Sequence, residues 1–235
     1  MIYHNYSFDQ LEDLADKLNA QYNPKRLTEP MTVDVFDIVD LLGARLAIDY
    51  LTPDRSYLGA TIFRDGFLWI WPSNPYYDGL KPERKLYRAG TIIIDADLDS
   101  SSSEQDVFTK NYTVMHECFH FAKHQASFKH CAHYSKSIHD YGKQQSDRNS
   151  ALYKIERQAD YAAAAFLMPR QAVINAFRER CKGDVPFPFC YEIKPFIKEL
   201  GKVFGVNYSP MVYRLQDLGL LEKQFDPTFT FTKNN

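Results

Sequence analysis

Cysteine is scarce in this sequence of 235 residues, which has four, at positions 118, 131, 181 and 190, and no CxxC pair. A chain of this length can bury a sufficient apolar core without covalent cross-links. The cysteine count therefore argues against a disulfide-built scaffold and favours free thiols. A Cys181–Cys190 bridge across a short loop is the minor alternative.

Long apolar runs and an excess of charge of one sign are also missing. No stretch approaches the roughly 18 apolar residues that a membrane-spanning helix needs, and the first residues lack the basic and apolar regions of a signal peptide. Lys and Arg number 28 against 30 Asp and Glu, a formal charge of −2. These absences predict a soluble, cytoplasmic protein with no membrane partner, and they argue against nucleic acid as a partner.

The composition that remains is that of a globular protein, with 45% hydrophobic and 25% charged residues. We expect one domain over residues 1–235. Its parts are N-terminal helices and a small sheet over 1–98, two long helices over 104–168, and C-terminal helices over 170–235. The polar segment 123–150, rich in Lys, His, Gln and Ser, has weak periodicity and is expected to be a long excursion, either partly disordered or lying over a cleft.

Periodicity predicts the secondary structure within these parts. Helices are predicted near residues 8–18, 33–42, 104–125, 151–168, 170–181, 192–204 and 209–218, and strands near 45–51, 60–63, 67–71 and 90–98. The turn signal Asp65-Gly66 predicts that the second and third strands form a hairpin. Trp69 and Trp71 alternate with Ile70, which favours core packing over a place in a cleft wall.

Residues 116–120 form an HExxH motif, His-Glu-Cys-Phe-His, inside the predicted helix 104–125. Histidines at i and i+4 lie one above the other on a helix, so His116 and His120 can bind one metal ion. Glu117 is rotated about 100° from His116, which places it beside the reacting water and outside the ligand set. The motif therefore predicts metal-assisted hydrolysis with Glu117 as the general base.

A catalytic zinc needs a third protein ligand. His124 is eight residues beyond His116, about 12 Å along the helix axis, which is too far for one ion. Glu156, early in the helix 151–168, is the remaining candidate. Asp160, one turn later, can accept the second N–H of a ligand histidine, with His116 as the expected partner. Two histidines and one glutamate suit a single Zn²⁺ per chain best, with Mn²⁺ as an alternative.

Two segments resemble the ImmA/IrrE family of metallo-endopeptidases. Residues 111–120, Asn-Tyr-Thr-Val-Met-His-Glu-Cys-Phe-His, are similar to its first signature, and residues 156–163 followed by Leu-Met-Pro at 167–169 are similar to its second. The resemblance covers about residues 30–221. It implies an α+β, zincin-like fold in which the helices that carry the metal site pack on a small N-terminal sheet. The expected unit is thus a single metallopeptidase domain.

The resemblance also implies a function. The expected activity is zinc-dependent endoproteolysis of a cytoplasmic regulatory protein, such as an Xre-type helix-turn-helix repressor, which would switch on stress or mobile-element genes. The alternative is a catalytically silent zincin-fold regulator that binds a partner protein without cleaving it. A DNA-binding role for residues 205–221, which faintly resemble a winged-helix segment, ranks last.

Several polar residues have no assigned role. Tyr134, Tyr141 and Tyr161 are equal candidates for a second donor to the oxyanion of the cleavage reaction. His130, Cys131, His133 and His139 could form a second metal site, but they lack a recognised ligand spacing and are interpreted as ordinary loop residues. Cys118 is predicted to be a small buried hydrophobe.

Overall fold

A computed structural model of the chain describes residues 4–73, 81–134 and 150–228. In these ranges the chain forms eight α-helices, one 3₁₀-helix and eight strands. The helices are α1 (Phe8–Tyr22), α2 (Val35–Leu41), α3 (Ala96–Ser100), α4 (Glu104–Lys123), α5 (Ala151–Leu167), α6 (Arg170–Arg180), α7 (Lys194–Phe204) and α8 (Tyr208–Asp217), with the 3₁₀-helix at Pro24–Leu27. The strands are β1 (Arg45–Asp49), β2 (Gly59–Ile62), β3 (Gly66–Ile70), β4 (Glu83–Tyr87), β5 (Thr91–Asp95), β6 (His133–Tyr134), β7 (Phe187–Phe189) and β8 (Leu221–Phe225). The predicted α+β class is confirmed.

The chain divides into two compact units, each built from segments distant in sequence. Unit 1 comprises Met1–Phe8 and Asp34–Ala163, and unit 2 comprises Asp9–Val33 and Ala164–Asn235. The single-domain organisation expected from the sequence stays a prediction. None of the helices that the structure describes is long and apolar enough to cross a membrane.

Unit 1 contains a four-stranded sheet in the order β1-β5-β2-β6. The central strand β5 is buried along its whole length, as expected for the β-branched run Thr-Ile-Ile-Ile at 91–94. It pairs in parallel with β1 and antiparallel with β2, whose other edge pairs with the short strand β6. Helix α4 packs against β2 and β5. The sheet therefore supports the helix that carries the HExxH motif.

The predicted hairpin at Asp65-Gly66 is wrong. β2 already has β5 and β6 on its two edges, so β3 pairs instead with β4 in a separate antiparallel ribbon. The expectation for Trp69 is wrong as well, because Leu68 and Ile70 occupy the inward face of β3 and leave Trp69 63% exposed. Part of the connection between these strands, residues 74–80, lies outside the described residues.

The strand predicted over 90–98 ends earlier than expected. The side chain of Asp95 accepts a hydrogen bond from the backbone N–H of Asp97 at 3.1 Å and so caps the short helix α3. The second carboxylate oxygen accepts from the N–H of Leu51 at 3.1 Å. One buried carboxylate thus ends β5 and fixes the segment that follows β1.

Two buried arginines organise unit 2. Arg26 donates to Asn19 and to the backbone carbonyls of Met31, Thr32, Phe166 and Leu167 at 2.7–3.3 Å. Its guanidinium thereby satisfies carbonyls at the C-terminal end of α5 that have no partner within the helix. The second arginine is Arg214 of α8, which donates to the carbonyl of Met168 at 2.9 Å and forms a buried ion pair with Glu12.

The remaining elements of unit 2 are α6, the helix pair α7–α8, and strands β7 and β8, which pair in parallel. Gly205 ends α7 with φ of +69°, a conformation that glycine adopts at no steric cost. A Cβ atom on Gly201 would lie 2.8 Å from the carbonyl oxygen of Val206, so the turn can approach α7 only at a glycine. All four cysteines are free, in agreement with the prediction from their number.

Candidate metal centre

Helix α4 brings two imidazoles together. The helix begins after Ser103, whose hydroxyl accepts a hydrogen bond from the N–H of Asp106 at 3.1 Å, and residues 114–120 are buried. His116 and His120 are one turn apart on the same face, and their Nε2 atoms lie 2.9 Å from each other. Phe119 and Cys118 are buried too. The motif thus sits on the packed side of its helix.

Helix α5 supplies a carboxylate to the same point. The Oε1 atom of Glu156 lies 3.1 Å from Nε2 of His120, and Oε2 lies 3.4 Å from Nε2 of His116. Ligands held at 2.0–2.1 Å around a tetrahedral zinc are about 3.3 Å apart, so this spacing fits the ion. Within the residues that the structure describes, this is the one group of His, Cys, Asp or Glu side chains placed to hold a metal ion. Their role as ligands remains a prediction.

Asp160 lies behind the first histidine. Its Oδ1 is 2.9 Å from Nδ1 of His116, and its backbone carbonyl accepts a hydrogen bond from the hydroxyl of Tyr112 at 2.8 Å. Burial alone lowers the pKa of His116, but the negative charges of Asp160 and Glu156 outweigh it and raise the pKa to about 10. Burial acts to raise the pKa of Glu156, yet the two histidines hold it well below its usual range. The centre therefore pairs one ionised carboxylate with the two rings.

Glu117 lies between α4 and strand β2. The hydroxyl of Thr61 donates to Oε2 of Glu117 at 2.6 Å. Burial raises the pKa of Glu117, although the neighbouring His116 and His120 and the Thr61 hydrogen bond each act to lower it. A Cβ atom on Gly59 would lie 3.0 Å from Cγ of Glu117, so the strand comes this close only at a glycine. A buried carboxylate of raised pKa is suited to taking and returning a proton.

His124 stands behind the second histidine. Its Nδ1 lies 2.9 Å from Nδ1 of His120, and its Nε2 lies 3.2 Å from Oε1 of Gln158. Burial, and next the neighbouring His120, lower the pKa of His124 to about 3, so this ring is neutral. The sequence excluded His124 as a ligand on distance, and the structure places it against the far side of His120. Gln158 and Thr61 were missed, because nothing in their local spacing marks them.

The remaining residues singled out from the sequence are the candidate oxyanion donors and the polar residues of 130–139. The ring of Tyr161 stacks on Phe8 with centroids 4.2 Å apart. The side chain of Tyr134 and all of Tyr141 lie outside the described residues. His130, Cys131 and His133 are exposed, and in the described ranges they form no group placed to hold a metal, while His139 lies outside those ranges. Residues 135–149 of the expected polar excursion also lie outside them.

The fold and the site together define an α+β protein with a buried His-His-Glu group and a buried glutamate beside it. The peptidase M78 family model, described as the IrrE N-terminal-like domain, matches residues 100–216, which contain the whole group. The chain belongs to the ImmA/IrrE family, as the two signatures imply.

A solved structure described as a Mycobacterium tuberculosis transcriptional regulator is also similar, with 16% sequence identity and a TM-score of 0.46. The alignment covers 90% of this chain, and this chain spans 57% of that one. No curated protein matches the sequence.

Proposed function

We propose that this chain is a zinc-dependent endopeptidase of the zincin-like type, holding one Zn²⁺ through His116, His120 and Glu156. The observation that carries the proposal is the spacing of the three donor groups, 2.9–3.4 Å, with Glu117 next to them on the same helix. Family membership supports the same activity. All three donor residues lie in unit 1, so that unit supplies every side chain of the proposed centre.

When bound, zinc would act as a Lewis acid that polarises the scissile carbonyl and makes water more acidic. Glu117 is the proposed general base, which takes the proton of the attacking water on a carboxylate oxygen and then gives it to the leaving amine. Thr61 holds that carboxylate in place through its 2.6 Å hydrogen bond. Asp160 holds the ring of His116 so that Nε2 faces Glu156.

The proposed substrate is a cytoplasmic regulatory protein, with an Xre-type helix-turn-helix repressor as the first candidate. What supports it is the family to which the chain belongs. Cleavage of such a repressor would connect the enzyme to transcription and stress response. Cytoplasmic localisation is part of the same proposal.

Two other functions are weaker candidates. A silent regulator would have no use for Glu117, which is buried and held by Thr61 in this chain. A DNA-binding role would use residues 205–221, yet the one basic residue there, Arg214, is buried in its ion pair with Glu12. The outer face of α8 carries Ser209, Tyr213 and Asp217, which offer no cation to a phosphate backbone.

The test is zinc content measured by mass spectrometry on protein purified without a metal-affinity step. We expect about one zinc per chain in the wild type, loss of zinc in Glu156→Gln, and retention in Glu179→Gln, an exposed glutamate on α6. Glu117→Gln should keep zinc and lose roughly 10²–10⁴-fold in cleavage of a repressor substrate. A wild type that takes up no zinc when it is supplied would overturn the proposal.

A further inference from the structure

We propose that Gln158 is a positioning residue of the metal centre, which acts through His124 to fix the ring nitrogen that His120 presents to the ion. The inference rests on the proposed zinc site and extends it to residues outside the ligand set. Three consecutive contacts carry it. They join the backbone of His4 to Gln158, Gln158 to His124, and His124 to His120.

The first contact sets the direction of the amide. Nε2 of Gln158 lies 3.1 Å from the backbone carbonyl oxygen of His4. A carbonyl oxygen only accepts hydrogen bonds, so the NH₂ group of the amide must face it. The amide oxygen, Oε1, therefore faces Nε2 of His124 at 3.2 Å. The backbone of His4 thus decides which end of the amide His124 meets.

The second contact sets the tautomer of His124. Because Oε1 of Gln158 only accepts, Nε2 of His124 has to carry the proton and donate it. A neutral imidazole has one donor and one acceptor nitrogen, which leaves Nδ1 of His124 as the acceptor. His124 is buried, with 3% of its surface exposed, and burial disfavours the doubly protonated ring.

The third contact carries this choice to the proposed ligand. Nδ1 of His120 lies 2.9 Å from the accepting Nδ1 of His124, so His120 donates from Nδ1. Its Nε2 then bears a lone pair, and this is the atom 3.1 Å from Oε1 of Glu156. Without the acceptor on Gln158, His124 is free to reverse and direct an N–H at His120. The Nε2 of His120 would then carry a proton that blocks metal binding.

Helix α5 therefore supplies the residues that orient both histidines of α4. Asp160 contacts Nδ1 of His116 directly, whereas Gln158 reaches Nδ1 of His120 through an intervening ring. Outer partners of this kind change metal affinity by about 10–100-fold when they are removed. A residue that only filled space at position 158 would have no effect on the tautomer of a ring two contacts away.

The direct test is nuclear magnetic resonance of zinc-loaded protein labelled with ¹⁵N in its histidines. In the wild type we expect His124 protonated at Nε2 alone and His120 protonated at Nδ1 alone. This measurement needs no variant, so it does not depend on whether a substitution folds. A proton on Nδ1 of His124 would overturn the proposal.

Two variants test the consequence for metal binding. Gln158→Met removes the acceptor at similar volume, and zinc affinity measured by chelator competition should fall about 10–100-fold. Gln158→Glu keeps the oxygen that accepts from His124 but loses the donor to His4, so its affinity should fall less than that of Gln158→Met. Equal affinity in Gln158→Met and the wild type would refute the positioning role while leaving the zinc site intact. A wild type that binds no zinc would instead defeat the proposed function.

Discussion

At the scale of the residue, a proton on His116 would compete with a metal ion for the proposed centre. Without metal, the pKa of His116 is raised to about 10, so this ring holds a proton at pH 7. A zinc ion at the proposed centre would need the neutral imidazole, so it would have to displace that proton. The carboxylates that orient His116 therefore also place a proton in competition with the ion.

We predict that zinc binding at pH 7 releases about one proton from His116. Because the proton is bound below pH 10 and lost on binding, affinity should rise with pH, by about tenfold per unit near pH 7. Titration calorimetry in two buffers of different ionisation enthalpy measures the released proton. Asp160→Asn removes a charge that raises the pKa of His116 and should reduce the release at pH 7. Proton release of zero in the wild type would contradict the prediction.

At the scale of the element, the distance between β2 and α4 positions the proposed base. A Cβ atom at Gly59 would meet Cγ2 of Thr113 at 2.7 Å and Cγ of Glu117 at 3.0 Å. The first separation is too short for two carbon atoms, so any larger residue must push the strand from the helix. Glycine at this position allows a main-chain strand to lie directly against the HExxH motif.

We predict that Gly59→Ala destabilises unit 1 by about 1–3 kcal/mol, measured by urea unfolding. Thr113→Ser removes the nearest methyl group while keeping the hydroxyl that bonds the Thr109 carbonyl at 2.9 Å. The double variant should recover at least about 0.5 kcal/mol relative to the sum of the single changes. Strict additivity would mean that the Thr113 methyl is not what limits the approach.

The sequence predicts elements that depend on local signals better than it predicts how strands pair. The helices that begin at Glu104 and Ala151 were predictable because apolar periodicity is a local signal. The partner of β3 was not, because a turn signal at Asp65-Gly66 carries no information about which edges of β2 are already occupied. The prediction that Trp69 packs in the core was wrong for the same reason. The alternation of residues along β3 does not say which face of the strand is covered.

The residues of the proposed site also differ in how far local spacing predicts them. The i, i+4 geometry of His116 and His120 follows from the helix alone, and Glu156 with Asp160 repeats that spacing. Gln158 could not be predicted, because its role depends on contacts to another helix and to a backbone carbonyl near the start of the chain.

At the scale of the whole molecule, unit 2 is held together by buried polar contacts between residues that are far apart in the sequence. Arg26 is 1% exposed and bonds carbonyls of Phe166 and Leu167, 140 and 141 residues away. Carbonyls that lose a buried donor cost about 1–3 kcal/mol each. The arginine therefore ties the end of α5 to the N-terminal segment of this unit.

We predict that Arg26→Met destabilises the protein by about 3–5 kcal/mol, followed by circular dichroism in urea. Arg26→Lys should lie between, since an ammonium has three donors and the guanidinium has five. The matched control is Arg180→Met, which breaks an exposed ion pair with Glu199 and should change stability by less than about 1 kcal/mol. Similar losses for the two methionine variants would show that the buried contacts are not decisive.

These contacts between residues distant in sequence have a consequence during protein synthesis. Glu12 is translated 202 residues before its partner Arg214, an interval of roughly 10 to 40 s at elongation rates of about 5–20 residues per second. Until residue 164 is made, α1 lacks the whole Ala164–Asn235 part of its unit, although its Leu11 and Ala15 are buried in the folded protein. The segment 34–163 can meanwhile emerge from the ribosome complete. Synthesis thus completes the segment that carries His116, His120 and Glu156 before α1 has the other part of its own unit.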